Sequence, residues 1–208
     1  MTVGDADLPF SQACENNKQP ILEVLRRHLQ AGDEVLEIGS GTGQHAVCFV
    51  EQLDAVVWQP SDRRLGLGGL AERVVRIGNP RLRPPMQLDV DVLPWPVDSY
   101  DVVYSANTLH ILSWSSVERL FRGVEALLRP GGRLLVYGPF NYDGAFTSAS
   151  NAAFDASLRA LDPQSGIRGF EQVDRLARAA GLQLVEDVAM PANNRMLVWS
   201  RADSAGGS

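Results

Sequence analysis

The chain holds only two cysteines in 208 residues, Cys14 and Cys48. Two cannot build a disulfide framework, and neither belongs to a CxxC pair of the kind that holds zinc, so Cys48 reads as helix packing and no metal is expected. Basic residues are also scarce: 19 Lys and Arg stand against 25 Asp and Glu, a formal net charge of -6. Non-specific nucleic-acid binding rests on Lys and Arg contacts that release counterions, so nucleic acid is excluded as the expected partner and a small molecule or a protein remains. No apolar run approaches the roughly 20 residues of a membrane span. The start, MTVGDADLPF, has neither the basic nor the apolar region of a signal peptide, and a soluble, cytoplasmic protein is the expectation. Internal repeats are absent, and low complexity is confined to the small, polar tail ADSAGGS, which reads as flexible over 201–208.

What is present is 45% hydrophobic and 21% charged sequence, enough for one well-buried domain over residues 1–200. Strand-like and helix-like periods alternate along it. PILEVLRRHLQ (20–30) reads as an amphipathic helix with Pro20 in its first turn, EVLEIG (34–39) as a strand, and 43–53 as a helix. AVVWQP (55–60) is the next strand, before a helix over 67–77. MQLDV (86–90) follows Pro84 and Pro85, which places that strand at a sheet edge. YDVVYSAN (100–107) and RLLVYGP (133–139) flank a helix over 115–128 that RPGG stops. After an interruption over 140–170, VDRLARAAG (173–181) is a helix ended by Gly181. LQLVEDVAM and RMLVWS, joined by PANN, read as a closing hairpin. The fold class is α/β: a Rossmann-like, seven-stranded, mostly parallel sheet with helices on both faces and a C-terminal antiparallel hairpin.

VLEIGSGTGQHA (35–46) carries three glycines at alternate positions directly after an acid. A P-loop is excluded because no Lys follows Gly43. A dinucleotide fingerprint is excluded because Gln44 stands where GxGxxG needs glycine. What remains is GxGxG, whose Gly39, Gly41 and Gly43 allow a tight turn and let a ligand approach backbone N–H groups at a helix N-terminus.

The layout and motif spacing over roughly residues 20–200 resemble class I methyltransferases that use S-adenosylmethionine (SAM). More narrowly, NNKQPIL, GSGTGQHA, WQPSD, ANTLHI, YGPFN, NAAFDASLR and MPANN resemble a small methyltransferase-like family carried as a domain of unknown function, with bacterial and animal members. The resemblance implies that the loop of Gly39, Ser40, Gly41 and Gly43 binds SAM and that Glu37 neutralises its ammonium. Asp62 is then the acid that holds the ribose hydroxyls, with Gln59 or Ser61 as residues that could share the role because WQPSD places Pro60 and Ser61 before the acid. Asp89 would accept from the adenine amino group while the Val90 N–H donates to the ring.

Ligands of open parallel sheets bind beyond the carboxyl ends of the strands, so ANTLH, YGPFNYDG and PANN are expected on the face of the glycine loop. His110 is the candidate base, because histidine titrates near neutrality; packing or capping of the following helix is its other reading. Asn107 either orients its loop or contacts the methionine end of SAM. In the 140–170 insertion, read as a lid, Tyr142, Phe146, Asn151, Phe154, Asp155 and Arg168 stand out. Phe154, Leu158 and Leu161 recur at helical spacing, which makes Phe154 and Leu158 core or lid underside, with Asn151 and Asp155 on another face. Asn16, Asn17 and Lys18 could close from the other side or merely enter a helix. Asn193 and Asn194 suit a polar substrate or simply a turn. The function implied is SAM-dependent methyl transfer to a small polar acceptor. The alternatives are a protein methyltransferase and a non-catalytic SAM-binding sensor or scaffold. Monomer and homodimer are both compatible with the sequence.

Overall fold

The computed structural model describes residues 8–64 and 69–203; the first two residues of the helix expected over 67–77 and the end of the tail lie outside them. The helices are α1 (Gln12–His28), α2 (Gln44–Gln52), α3 (Leu70–Ile77), α4 (Trp114–Leu127), α5 (Ala149–Leu161) and α6 (Phe170–Ala179). The strands are β1 (Glu34–Ile38), β2 (Val57–Asp62), β3 (Met86–Gln87), β4 (Tyr100–Ala106), β5 (Leu128–Gly138), β6 (Phe140–Asn141), β7 (Arg168–Gly169), β8 (Leu182–Met190) and β9 (Asn194–Arg201). Seven of them form one sheet in the order β3-β2-β1-β4-β5-β9-β8, while β6 and β7 pair separately. The pairs β1–β2, β2–β3 and β4–β5 are parallel, and β9 is antiparallel to both β5 and β8. This is the Rossmann-like sheet with the closing hairpin that the sequence implied, and β3 lies at the expected edge. The chain divides into two compact units, up to Asp89 and from Val90 on.

In the first unit α1 begins eight residues before the expected Pro20. Ser11 caps it, its side chain accepting from the Cys14 N–H at 3.3 Å, so ENNKQP is helix and Pro20 stands in the interior. There the missing proline N–H leaves the Asn16 carbonyl without its helical partner. Arg26, Arg27 and His28 close the last turn, where positive charge complements the helix dipole. Ile21, Leu22 and Leu25 are fully buried with Phe49 and Trp58, whose ring centroids are 5.5 Å apart.

Strand β2 also differs from the sequence reading: it runs two residues further, through Pro60 and Ser61, and ends at Asp62. Trp58 N and O bond to Arg81 O and Arg83 N, so the outer edge at position 60 faces the Pro84 region, and pairing with Met86 begins only at Ser61. A proline is tolerated there because no ladder bond is required of its nitrogen. The expected five-residue third strand is reduced to Met86–Gln87, because its partner β2 ends at Asp62, which pairs with Gln87.

In the second unit the core is built on β4, β5 and β9, with Leu120 and Phe121 of α4 and Val173 of α6 buried. Trp199 stands edge-on to Phe121 at 6.3 Å and donates to Asp174 Oδ1 at 3.0 Å. RPGG does stop α4, and the β4–β5 register jumps from Tyr100↔Leu128 to Val102↔Arg133 as the turn bulges out. The interruption over 140–170 is organised: β6 and β7 pair its two ends and α5 lies between them. Of the two residues expected inside or under a lid on α5, Leu158 is buried while Phe154 is 41% exposed. The buried face is instead Asn151, Asp155 and Leu158.

A Cβ built on Gly123 of α4 would lie 2.3 Å from the buried Trp95 indole. Gly123→Ala is therefore expected to destabilise the protein by about 1–3 kcal/mol, as overpacking does, despite the better helix propensity of alanine. Urea unfolding checks this; an unchanged or raised midpoint would mean that the indole moves freely.

Candidate active site

The glycine loop hangs on β2. Gly39 N and Ser40 N both donate to Ser61 O, at 3.0 and 2.9 Å. Ser61 returns its N–H to Ser40 Oγ at 3.1 Å and its hydroxyl to Glu37 O at 2.6 Å. The Glu37 carboxylate is buried; Oε2 accepts from Ser40 Oγ at 2.8 Å and from Trp58 Nε1 at 3.0 Å. Oε1 has no hydrogen bond among the described residues. Burial pushes the Glu37 carboxyl up to about 7, against the lowering effect of those two donors, with the charge of Asp62 adding to the rise.

Two glycines of the loop do different work. Gly43 caps α2 with φ 76°, and a Cβ there would meet Leu70 Cδ1 at 2.6 Å, so close packing on α3 requires glycine. Gly41, at φ 53°, would have nothing within 4 Å of its Cβ: the loop is open on that side. The Gly41 N–H donates to Asp62 Oδ2 at 3.0 Å, which brings Glu37, Gly41 and Asp62 together as the spacing implied. Gln59 and Ser61 have other partners: the Gln59 amide donates to Pro60 O and Pro84 O, and the Ser61 hydroxyl to Glu37 O. The Leu88 N–H donates to Asp62 O, just before half-buried Asp89 and buried Val90.

Sequence reasoning missed the network that fixes the loop from its far side. Gln44 accepts from Ser11 N at 2.6 Å and donates to Glu15 Oε1 at 2.8 Å, tying the start of α1 to the start of α2. Buried Asn17 and His45 meet at 2.7 Å, and burial lowers the His45 pKa to about 4. Arg73 donates to Thr42 O and Pro9 O, both at 2.8 Å. The signal was present in Gln44 and His45, two polar residues where a helix enters the interior. Of the polar candidates nearby, Lys18 is paired with Glu15 at 2.5 Å and exposed Asn16 accepts from Gln12.

In the second unit Asn107 leaves β4 with φ 54°, its N–H bonded to Tyr137 O at 2.9 Å. His110 is buried, and its carbonyl accepts from Gly166 N at 2.8 Å. Burial, with the nearby Arg168 charge, lowers its pKa to about 4, so the ring is neutral at physiological pH. Arg168 donates to Leu109 O, Leu112 O and Gln164 O, which fixes the turn that presents His110. The other sequence candidates hold the insertion together. The Asn151 amide donates to Thr147 Oγ1 and Asn193 O; Asp155 accepts from Ile167 N at 2.7 Å and from Arg159. Tyr142 donates to Asp187 at 2.7 Å and stacks on Phe170, while Asn193 donates to Ser150 and Asn194 to Pro191 O.

The chain belongs to the family described as a protein of unknown function, DUF938, whose model matches residues 8–201. It is 32% identical over 119 residues to 27-O-demethylrifamycin SV methyltransferase of Amycolatopsis mediterranei, covering 51% of this chain and 38% of that protein. It is 25% identical over 181 residues to methyltransferase GfsG of Streptomyces halstedii, covering 86% of this chain and 62% of the relative. Among solved structures, the S-adenosylmethionine-dependent methyltransferase SibL superposes with a TM-score of 0.75 at 24% identity, over 91% of this chain and 56% of the other. The chain thus spans less than two thirds of the length of each of these proteins. Its fold is that of the class I SAM-dependent methyltransferases. Among the described residues no helix is long and apolar enough to cross a membrane, and no cluster of three or more His, Cys, Asp or Glu could hold a metal ion.

Glu37 keeps its proton longer in the folded chain than in the unfolded one, so its contribution to stability falls as pH rises from about 4.5 to about 7 and is flat above. Glu37→Gln removes that loss. Relative to wild type the variant is expected to gain on the order of 2–3 kcal/mol between about pH 5 and about pH 7.5, read from urea unfolding at the two pH values. A constant difference would mean that Glu37 titrates normally.

Proposed function

We propose that the protein is a SAM-dependent methyltransferase acting on a small-molecule acceptor. The observation that carries this reading is the open side of the glycine loop at Gly41, whose N–H holds Asp62, beside two carboxylates, Asp62 and the buried Glu37, whose Oε1 has no partner among the described residues. The donor set fits SAM. A buried carboxylate oxygen suits an ammonium, loop N–H groups at the start of α2 suit a carboxylate, and Asp62 retains lone pairs for two ribose hydroxyls. The roles that the family resemblance gives Asp89, Val90 and Asn107 are kept as part of the proposal. When bound, SAM supplies a methyl group made electrophilic by its sulfonium; a lone pair of the acceptor takes it, the carbon–sulfur pair returns to sulfur, and S-adenosylhomocysteine remains.

The protein's own part is binding and orientation. Glu37 must be ionised to meet an ammonium, and its two donors hold Oε2 so that Oε1 is the free oxygen. His110, neutral at physiological pH, accepts a hydrogen bond from an O–H or N–H through whichever ring nitrogen is unprotonated. Its lowered pKa makes it a poor final owner of that proton, so the proton passes on to water. A small acceptor is favoured over a protein chain because the insertion is pinned at both ends by the β6–β7 pair and again at α5 by the Asn151–Asn193 contact. A long open groove would need that segment elsewhere.

Gly41→Val is expected to abolish S-adenosylhomocysteine binding in calorimetry, and Asp62→Ala to weaken it about tenfold or more through lost charge-assisted hydrogen bonds. Unchanged affinity in both would remove the cofactor from this loop. Radiolabelled SAM with cell extract then separates an enzyme from a sensor, which would give no labelled product. Size fractionation of the label separates a small acceptor from a protein.

A further inference from the structure

The polar residues that looked like substrate readers in the sequence are engaged with one another. Within the second unit, Tyr142 is bonded to Asp187, Asn151 to Thr147 and Asn193, Asp155 to Ile167 and Arg159, and Asn194 to Pro191. Arg168, the one buried cation beside His110, donates to three carbonyls. No charged group of this set is left over to meet a charged ligand.

What is left over has a different chemistry. The ring nitrogens of His110 make no hydrogen bond among the described residues, and the ring edge meets Phe154 of α5 at 5.4 Å between centroids and 70° between planes. Phe154 is 41% exposed and Ile111, next along the turn, 55%. Gly138, at the end of β5, would carry a Cβ 3.7 Å from His110 Nδ1; lacking one, it leaves that side of the imidazole uncrowded.

We propose that the acceptor is a neutral, ring-bearing molecule whose apolar body lies against Phe154 and Ile111 and whose hydroxyl or amino group donates to His110. This rests on the methyl-transfer reading and replaces the small polar acceptor expected from sequence with an apolar one carrying hydrogen-bond donors. Aromatic faces and an uncharged imidazole reward ring stacking and neutral donors, whereas a carboxylate or a zwitterion would lose hydration here without gaining an opposite charge.

The test uses the full chain, with and without saturating S-adenosylhomocysteine, and three probes: 2-naphthol, 2-naphthoate and tyrosine. Ligand-observed NMR titration is expected to show 2-naphthol binding at least about tenfold more tightly than the anion or the zwitterion. Phe154→Ser, at a half-exposed position, should weaken 2-naphthol about fivefold or more and leave S-adenosylhomocysteine affinity within about twofold. The inference is overturned if naphthoate or tyrosine binds as well as 2-naphthol, if 2-naphthol does not bind, or if Phe154→Ser binds it like wild type. Absence of S-adenosylhomocysteine binding to wild type contradicts the methyl-transfer reading, and the probe ranking without it still decides the acceptor chemistry.

Discussion

The buried carboxyl of Glu37 is the constraint on which the first unit depends. A carboxylate out of water must be hydrogen-bonded or protonated, and here Ser40 Oγ and Trp58 Nε1 supply two bonds to one oxygen. The same residues shape the surroundings. Ser40 also accepts from Ser61 N, Ser61 receives the Gly39 and Ser40 N–H groups, and Trp58 packs on Phe49 in the core. The glycine loop therefore takes its conformation from the interactions that desolvate Glu37, which are incomplete at Oε1. A folded chain that keeps such a group gives up stability for a site able to receive positive charge.

The second unit uses a buried cation in a comparable way. Arg168 places its donors on Leu109, Leu112 and Gln164 carbonyls, turning charge into backbone geometry. The turn it fixes exposes the imidazole of His110 to Phe154 while its field helps keep that imidazole neutral. The parallel pairing of Phe140 with Arg168 secures the insertion at the same point, so α5 is held by its base. Orientation in both units comes from charged residues whose partners lie within the protein.

Much of this was legible in the chain. The alternation of strand and helix and the glycines at 39, 41 and 43 are local signals of period and spacing, and the fold follows them; the role of the acid at 62 was suggested by the family resemblance. Boundaries were less legible where local rules compete: Pro20 reads as a helix start, but the Ser11 cap lies upstream, and Pro60 reads as a strand end, but β2 has no outer ladder bond to make there. The least legible property was which polar side chains are free. Asn151, Asp155, Tyr142 and Asn193 have the composition of a binding surface, and only their three-dimensional partners reveal that each is engaged. Phe154 carries no motif at all, and its interest arises from a half-exposed ring beside the imidazole of His110.

To receive an ammonium, Glu37 must give up the proton that burial makes it keep. Calorimetric titration of S-adenosylhomocysteine in buffers of different ionisation enthalpy measures that proton directly. Release of about one proton per molecule bound is expected near pH 6, declining to about zero by pH 8, with no such release from Glu37→Gln. Binding that releases no proton at pH 6, or the same release from the variant, would contradict it.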